Sequence, residues 1–543
     1  MIGKSVHFRK PVRSLWYRFL STFRDLGVPQ SITTSLNTQF NIQRPTEGQQ
    51  ALLPASFTGR DLIFRDYTGT GKSIALCTLI ASNYEIASNK KRDSDGKQTE
   101  ANRPVSLIVS PTRELAVQLY EWIVSLLKPH HNPSTIDKDI QCLLNGLDRN
   151  EQAARLQSHV PNIIVGTPLR LRELMEDNAI DFSRLEVLVL DEVDYLIREA
   201  PPKASVHERF RNAIHPRPGE MLVEEIVKLR RGATEGQQHP PTLNKGSRGH
   251  QGGRYRDDAF NKLSISNAVS SHPDRKKLQI ITTSATFPAY LRDSLVKKRK
   301  WLDNPLLLDM TSSDVLSPAT ITHHVLVVRE DGTVNDIYEN ARDTLPPDPI
   351  TEMALGDADE LVLEAVARMI KRDEIESAMV FVASSVALGP IIENFKQEGI
   401  AVEKLIEQVK WSAFGTEVKH SDRTGDTDYF QSDTNTQGTR EGNQPIIPFE
   451  AFKSGKVRVL LATEHAARGL DLPNTSHVFI LGPPSSPESY LHMAGRVGRF
   501  GRSGVVVNVL SGRRHVNNVS KLLNSLNLKT AVYAKPMAPS IQT

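Results

Sequence analysis

The sequence predicts an α/β protein made of two doubly wound parallel-sheet domains in tandem, near residues 23–312 and 318–530. Three observations carry that prediction. Short runs rich in Val, Ile and Leu recur at 61–65, 105–110, 162–165, 185–190 and 278–283, and again at 378–383, 457–462, 477–481 and 505–510. Helical patterns separate these runs, and continuous apolar strands alternating with helices mark parallel sheets covered on both faces. With 543 residues, 39% of them hydrophobic and 24% charged, the chain is long and apolar enough for two packed cores, which excludes a wholly disordered protein.

Taken in chain order, the first element is basic. Lys4, Arg9, Lys10, Arg13, Arg18 and Arg24 precede the first acid, Asp25. A basic, acid-free segment has the character of an organellar transit peptide, here residues 1–22, addressed to the mitochondrion or, in a plant, a plastid. The other reading is a basic arm, on nucleic acid or solvated, in a nuclear or cytoplasmic protein. No apolar core of secretory type lies within it. No apolar run anywhere reaches the ~18 residues of a membrane span. The net charge of +4 is compatible with a nucleic-acid partner without arguing for one. Two cysteines, Cys77 and Cys142, exclude both a disulfide framework and a cysteine zinc site.

At 61–66 a strand runs into Tyr67-Thr68-Gly69-Thr70-Gly71-Lys72-Ser73 and then a helical run. Glycines at a helix start let backbone N–H groups approach phosphate oxygens. Lys72 supplies a point charge for the β/γ-phosphates, and the Ser73 hydroxyl suits Mg2+. Asp66 occupies the place of the usual first glycine. Further on, the apolar run 185–190 ends in Asp191-Glu192-Val193-Asp194. Acids at the carboxyl end of a buried strand stand where open α/β sheets bind ligands. Asp191 suits Mg2+. Glu192 is placed to take a proton from an attacking water.

Three stretches read as exposed insertions without a core: about 199–275, 329–360 and 411–448. Within the first, residues 232–256 hold six Gly and four Lys/Arg against one acid; the second holds ten acids; the third is rich in Thr, Asp, Gly and Ser. Residues 531–543 read as a tail.

The motifs in order resemble the DEAD-box family of superfamily 2 RNA helicases. Gln49, in Pro45-Thr46-Glu47-Gly48-Gln49, looks like the adenine-reading Q motif, with Phe23 upstream as the stacking aromatic. The Lys72–Ser73 loop resembles motif I, Pro111-Thr112-Arg113 motif Ia, Thr167-Pro168 motif Ib, and Asp191–Asp194 motif II with Val193 in place of Ala. Ser284-Ala285-Thr286 resembles motif III and Val380-Phe381-Val382 motif IV. Motif V is similar to Thr463–Asp471, with Glu464 where Asp is usual, and motif VI to His492–Arg499.

The resemblance implies two RecA-like domains closing a nucleotide and RNA cleft around ATP and a single RNA strand. It places Phe23, Gln49, Thr68, Gly69, Thr70, Gly71, Lys72, Ser73 and Asp471 on the nucleotide, with Mg2+ at Ser73 and Asp191. Lys72, Asp191, Glu192, Arg496 and Arg499 would be catalytic, the two arginines as fingers from the second domain. Asp194, Ser284, Thr286 and His492 would couple domain closure to hydrolysis. The RNA track would use Pro111, Thr112, Arg113, Gly146, Thr167 and Thr463, gripping sugar and phosphate without base specificity. A Gln-x-x-Arg element is a candidate at Gln437–Arg440. Met493 replaces the first arginine of motif VI, either as a missing interdomain contact or as a packed apolar residue. The leading reading is an RNA-dependent ATPase that unwinds short duplexes or remodels ribonucleoprotein, in an organelle. The competing one is a non-enzymatic ATP-gated RNA clamp, favoured by the motif departures Asp66, Gly146-Leu147, Glu464 and Met493.

Overall fold

In a computed structural model of the chain, the described residues are 22–93, 105–202, 204–231, 277–311, 320–329, 331–336, 360–405, 451–452, 454–464, 475–498, 502–511 and 513–533. Two seven-stranded sheets organise them.

The first sheet contains β1 (Leu62–Arg65), β2 (Ser106–Val109), β3 (Ile140–Leu143), β4 (Ile163–Gly166), β5 (Val187–Leu190), β6 (Gln279–Ser284) and β7 (Leu306–Asp309). Their order is β3-β4-β2-β5-β6-β1-β7, and every pairing is parallel. Helices cover both faces, so β2, β4 and β5 are buried along their whole length, which is why the sequence shows unbroken apolar runs there.

The second sheet contains β8 (Ile321–Val328), β9 (Val334–Asp336), β10 (Ala378–Val382), β11 (Val402–Lys404), β12 (Val459–Thr463), β13 (His477–Leu481) and β14 (Gly504–Ser511). The order is β11-β12-β10-β13-β14-β8-β9, parallel except for the β8–β9 hairpin.

Parts of two stretches expected to lack a core are structured. The helix Pro218–Arg231 buries Leu222, Val223 and Ile226 in the first-domain core, so the stretch from 199 to 231 carries structure. Its amphipathic spacing is the signal that composition hid. Likewise Val334 of β9 packs in the second-domain core, and residues 334–336 belong to the sheet. The basic loop 232–256 and the stretch 411–448 lie outside the described residues, as do most of 329–360 and residues 1–21. Among the described residues no helix is long and apolar enough to cross a membrane.

Candidate functional site

Loops at the carboxyl ends of both sheets meet at a cleft of about 550 Å³ lined by residues of both domains, among them Gln49, Lys72, Ser73, Asp191, Glu192, His492 and Arg496. The phosphate loop leaves β1 and enters the helix Lys72–Asp93. Gly69 and Gly71 have φ of 76° and 88°. An L side chain would be strained in that region, so both glycines are required by the curl of the loop. The Lys72 ammonium donates to the Asp66 carbonyl at 2.9 Å and also to the Tyr67 carbonyl.

Asp191 extends beyond β5 and is held from three sides. Ser73 Oγ donates to its Oδ2 at 3.1 Å, Thr283 Oγ1 to its Oδ1 at 2.7 Å, and the Glu192 N–H to the same Oδ1 at 3.1 Å. Burial, followed by the neighbouring Glu192 charge, pushes this carboxyl above the usual carboxylate range. A serine hydroxyl beside a buried carboxylate is a hard-oxygen donor pair that suits Mg2+ carried mainly by nucleotide phosphates. Among the described residues there is no group of three or more His, Cys, Asp or Glu that could hold a metal ion.

Glu192 adopts φ 51° and ψ 52°, a left-handed conformation costing roughly 1–2 kcal/mol outside glycine. Its Oε2 is buried without a hydrogen-bond partner, so an acceptor stands ready in the cleft. Two residues on, Asp194 accepts from Thr286 Oγ1, and His492 Nε2 lies 3.4 Å from its Oδ2. Burial would raise the Asp194 carboxyl, but His492, Thr286 and Ser284 outweigh it and hold the group well below the usual range. This contact crosses from the first domain to the second. A second crossing is steric: Gly495 packs so closely on Thr68 that a Cβ there would overlap the threonine side chain.

Gln49 is 3% exposed. Thr46 and Gln49 form a reciprocal capping box at the start of the helix Glu47–Ser56. Gln49 Nε2 also donates to the Gly71 carbonyl at 3.1 Å, while Thr46 Oγ1 donates to the Thr70 carbonyl at 2.9 Å. One amide hydrogen and one lone pair of Gln49 remain for a base edge. Thr46 was not anticipated, although Thr-x-x-Gln before a helix is a readable capping signal.

Phe23 is a correction. Its ring is 2% exposed in the first-domain core, so it has no free face to stack on a base. Phe40 and Ile42 line the cleft instead, with Trp122 edge-on to Phe40 at 6.3 Å. Met493 is likewise 3% exposed in the second-domain core, which favours the packed apolar reading over a missing interdomain contact. Thr167 is buried, with its hydroxyl donating to Asn145 Oδ1 at 3.0 Å; it orders the neighbouring loop and does not present itself to solvent.

The other residues assigned to the RNA track lie at or just past carboxyl ends of strands, Pro111, Thr112, Arg113 and Gly146 in the first sheet and Thr463 in the second. Pro111 and Thr112 precede the helix Arg113–Leu127, with Thr112 as its N-cap. The Arg113 guanidinium lies over Gly146, whose φ of 89° and lack of a Cβ leave room for it. Thr463 ends β12, in register with Val382 of β10. Ser284 ends β6, and its Oγ accepts from the Thr286 N–H at 3.0 Å. Arg499, Asp471 and the Gln437–Arg440 string lie outside the described residues.

A DEAD/DEAH box helicase model matches residues 46–219, and a helicase conserved C-terminal domain model matches residues 361–501. The chain belongs to the DEAD-box helicase family. This DEAD-box chain is 24% identical over 492 residues to ATP-dependent RNA helicase dbp3 of Neosartorya fischeri, covering 89% of the chain and 70% of that protein. It is 26% identical over 497 residues to the mitochondrial DEAD-box ATP-dependent RNA helicase 47 of Arabidopsis thaliana, covering 90% of the chain and 73% of that protein. Its two-domain RecA-like fold is similar to S. cerevisiae Dbp5 bound to RNA and ADP BeF3, at a TM-score of 0.58 and 17% identity, covering 94% and 95% of the two chains.

Proposed function

We propose that this DEAD-box chain is an ATP-dependent RNA helicase: an RNA-dependent ATPase that closes on ATP and a single RNA strand to open short duplexes or remodel ribonucleoprotein. The observation that carries the reading is the continuity from Ser73 through Asp191 to the cross-cleft Asp194–His492 contact, because it joins the phosphate site to the domain interface.

In this mechanism the phosphate loop cradles the nucleotide, with Thr68, Gly69, Thr70 and Gly71 bringing backbone to the phosphates and Lys72 neutralising them. Gln49 meets the adenine edge. Mg2+, held by Ser73 and Asp191 with the phosphates, would supply charge neutralisation there. Glu192 accepts the proton of the attacking water through its unpartnered Oε2. Arg496, and by resemblance Arg499, stabilise γ-phosphate charge only when the second domain closes, and Asp471 would meet the ribose. Asp194, Ser284, Thr286 and His492 tie closure to that geometry. Pro111, Thr112, Arg113, Gly146 and Thr463 track the RNA backbone, with Thr167 ordering the loop behind them.

RNA-stimulated phosphate release and strand displacement from a short duplex test the reading. Both should be lost in Lys72→Ala. An ATP- and RNA-binding protein with no release under any RNA would instead be the clamp. A mitochondrial address is a further part of the proposal, supported by six basic residues before Asp25. A reporter carrying the first 24 residues should enter mitochondria, and a diffuse cytosolic or nuclear reporter would refute that part.

A further inference from the structure

The phosphate loop begins with a residue that the mechanism above does not use. Asp66 is 4% exposed. Its Oδ1 accepts the Tyr67 N–H at 2.8 Å. Its Oδ2 occupies space that exists because residue 48 is glycine: a Cβ on Gly48 would overlap that oxygen, whereas the next neighbour, Phe64 Cζ, would sit at an ordinary 3.4 Å. The carboxylate thus wedges between the loop and the start of the helix Glu47–Ser56, beside the Thr46–Thr70 and Gln49–Gly71 bonds that already join them.

Its charge is the unusual feature. Burial pushes the Asp66 carboxyl upward, and the Lys72 ammonium is the strongest influence opposing that rise. The cation meant for the phosphates therefore already has an anion in its field. The Lys72 ammonium is held beside this residue, donating to the Asp66 carbonyl at 2.9 Å, and in a part-buried site little water screens neighbouring charges.

We propose that Asp66, seated in the space left by Gly48, is a positioning and affinity-setting residue that weakens the hold of the loop on nucleotide phosphates and so speeds release of nucleotide. The proposal rests on the nucleotide-binding reading of the cleft. It predicts a site built to let go: the fixed carboxylate offsets part of the Lys72 attraction for ATP and for ADP alike.

The test is the affinity of the purified full chain for the magnesium complexes of a fluorescent ATP analogue and of ADP, without RNA. Asp66→Asn keeps the volume and the acceptor for the Tyr67 N–H but removes the charge. It should tighten both ligands by about five-fold, the size expected for one screened charge near another, with ADP dissociation slowed in proportion. Asp66→Ser serves as the second neutral variant if the first fails to fold by melting curve. A merely structural role would leave affinity unchanged or weaken it, and that result in a folded neutral variant overturns the proposal. Gly48→Ala should weaken nucleotide binding in the otherwise native chain and be close to neutral in an Asp66→Ala background; equal effects in both backgrounds would overturn the fit between the two residues. Loss of binding in Lys72→Ala with retention in wild type keeps the underlying reading intact. A wild-type protein that binds neither probe would overturn that reading and the proposal with it.

Discussion

The two sheets are one winding used twice. If β7 and β9 are set aside, the six remaining strands of each sheet, numbered afresh from the first, run in the same order, 3-4-2-5-6-1. What differs is the chain between the first strand and its following helix. In the first domain that link is the short glycine loop ending at Lys72 and Ser73. In the second, β8 turns back through the antiparallel β9 before the helix Glu360–Arg372. One fold therefore carries a glycine phosphate loop in its first copy and, among the described residues, an antiparallel strand in the same link of its second. The second domain contributes His492 and Arg496 from the segment around the helix Pro487–Ala494. The chemistry resides in the links, and the sheets hold those links at a fixed spacing.

The largest effect that would test this division is on Arg496. If the second domain supplies transition-state charge and little ground-state binding, Arg496→Ala should lower RNA-stimulated turnover by ~10³-fold while leaving ATP affinity nearly unchanged. A proportional loss of affinity would move Arg496 into the binding role assigned to the first domain. Glu192→Gln should cost ~10²–10⁴-fold in turnover and accumulate a closed complex with ATP and RNA, seen as slowed RNA dissociation.

The remaining tests probe stability. Met493→Arg would bury a charge in the second-domain core and should lower stability by roughly 2–4 kcal/mol without raising RNA stimulation, as read by melting and steady-state ATPase. The second domain should also be the acid-sensitive half. Burial, aided by the His324 charge, holds His323 down from 6.5 to about 4, and burial also lowers His324 and His477. A histidine with a lowered folded pKa takes up fewer protons folded than unfolded. Stability is then full above pH 6.5 and is lost as pH falls toward 4, by up to ~3 kcal/mol for His323. His323→Asn should flatten that slope in a melting series. Smallest is Thr46→Ala, which should cost about 1 kcal/mol as a lost cap and weaken nucleotide binding modestly.

How much of this was legible followed from burial. All nine strands read from runs of Val, Ile or Leu are present within a residue or two. Five strands were missed, for different reasons. β7 has a leucine run, Leu306–Leu308, but is an edge strand whose burial alternates; β8 ends in the apolar run Val325–Val328, but Thr322, His323 and His324 interrupt its first half; β3 contains Gln141 and Cys142; and β9 and β11 are three residues each. The site was readable where function fixes residue type in a contiguous string, as at Lys72–Ser73 and Asp191–Asp194. It was misread at Phe23 because an aromatic upstream of Gln49 is equally useful as core. Only tertiary packing separates Phe23 from Phe40. Thr283 was overlooked because its bond to Asp191 joins residues 92 positions apart.

Gly495 has a consequence of its own. Its φ of −72° is open to any residue, so conformation does not demand glycine; clearance does. The hydrogen on its Cα is the spacer between second-domain backbone and the Thr68 side chain. Each carbon added there would hold the jaws ajar by its own thickness. The gap between halves is thus graduated in methyl groups, and a Gly, Ala, Val series at 495 would act as a set of shims, separating how tightly ATP is held from how far the enzyme can shut on it.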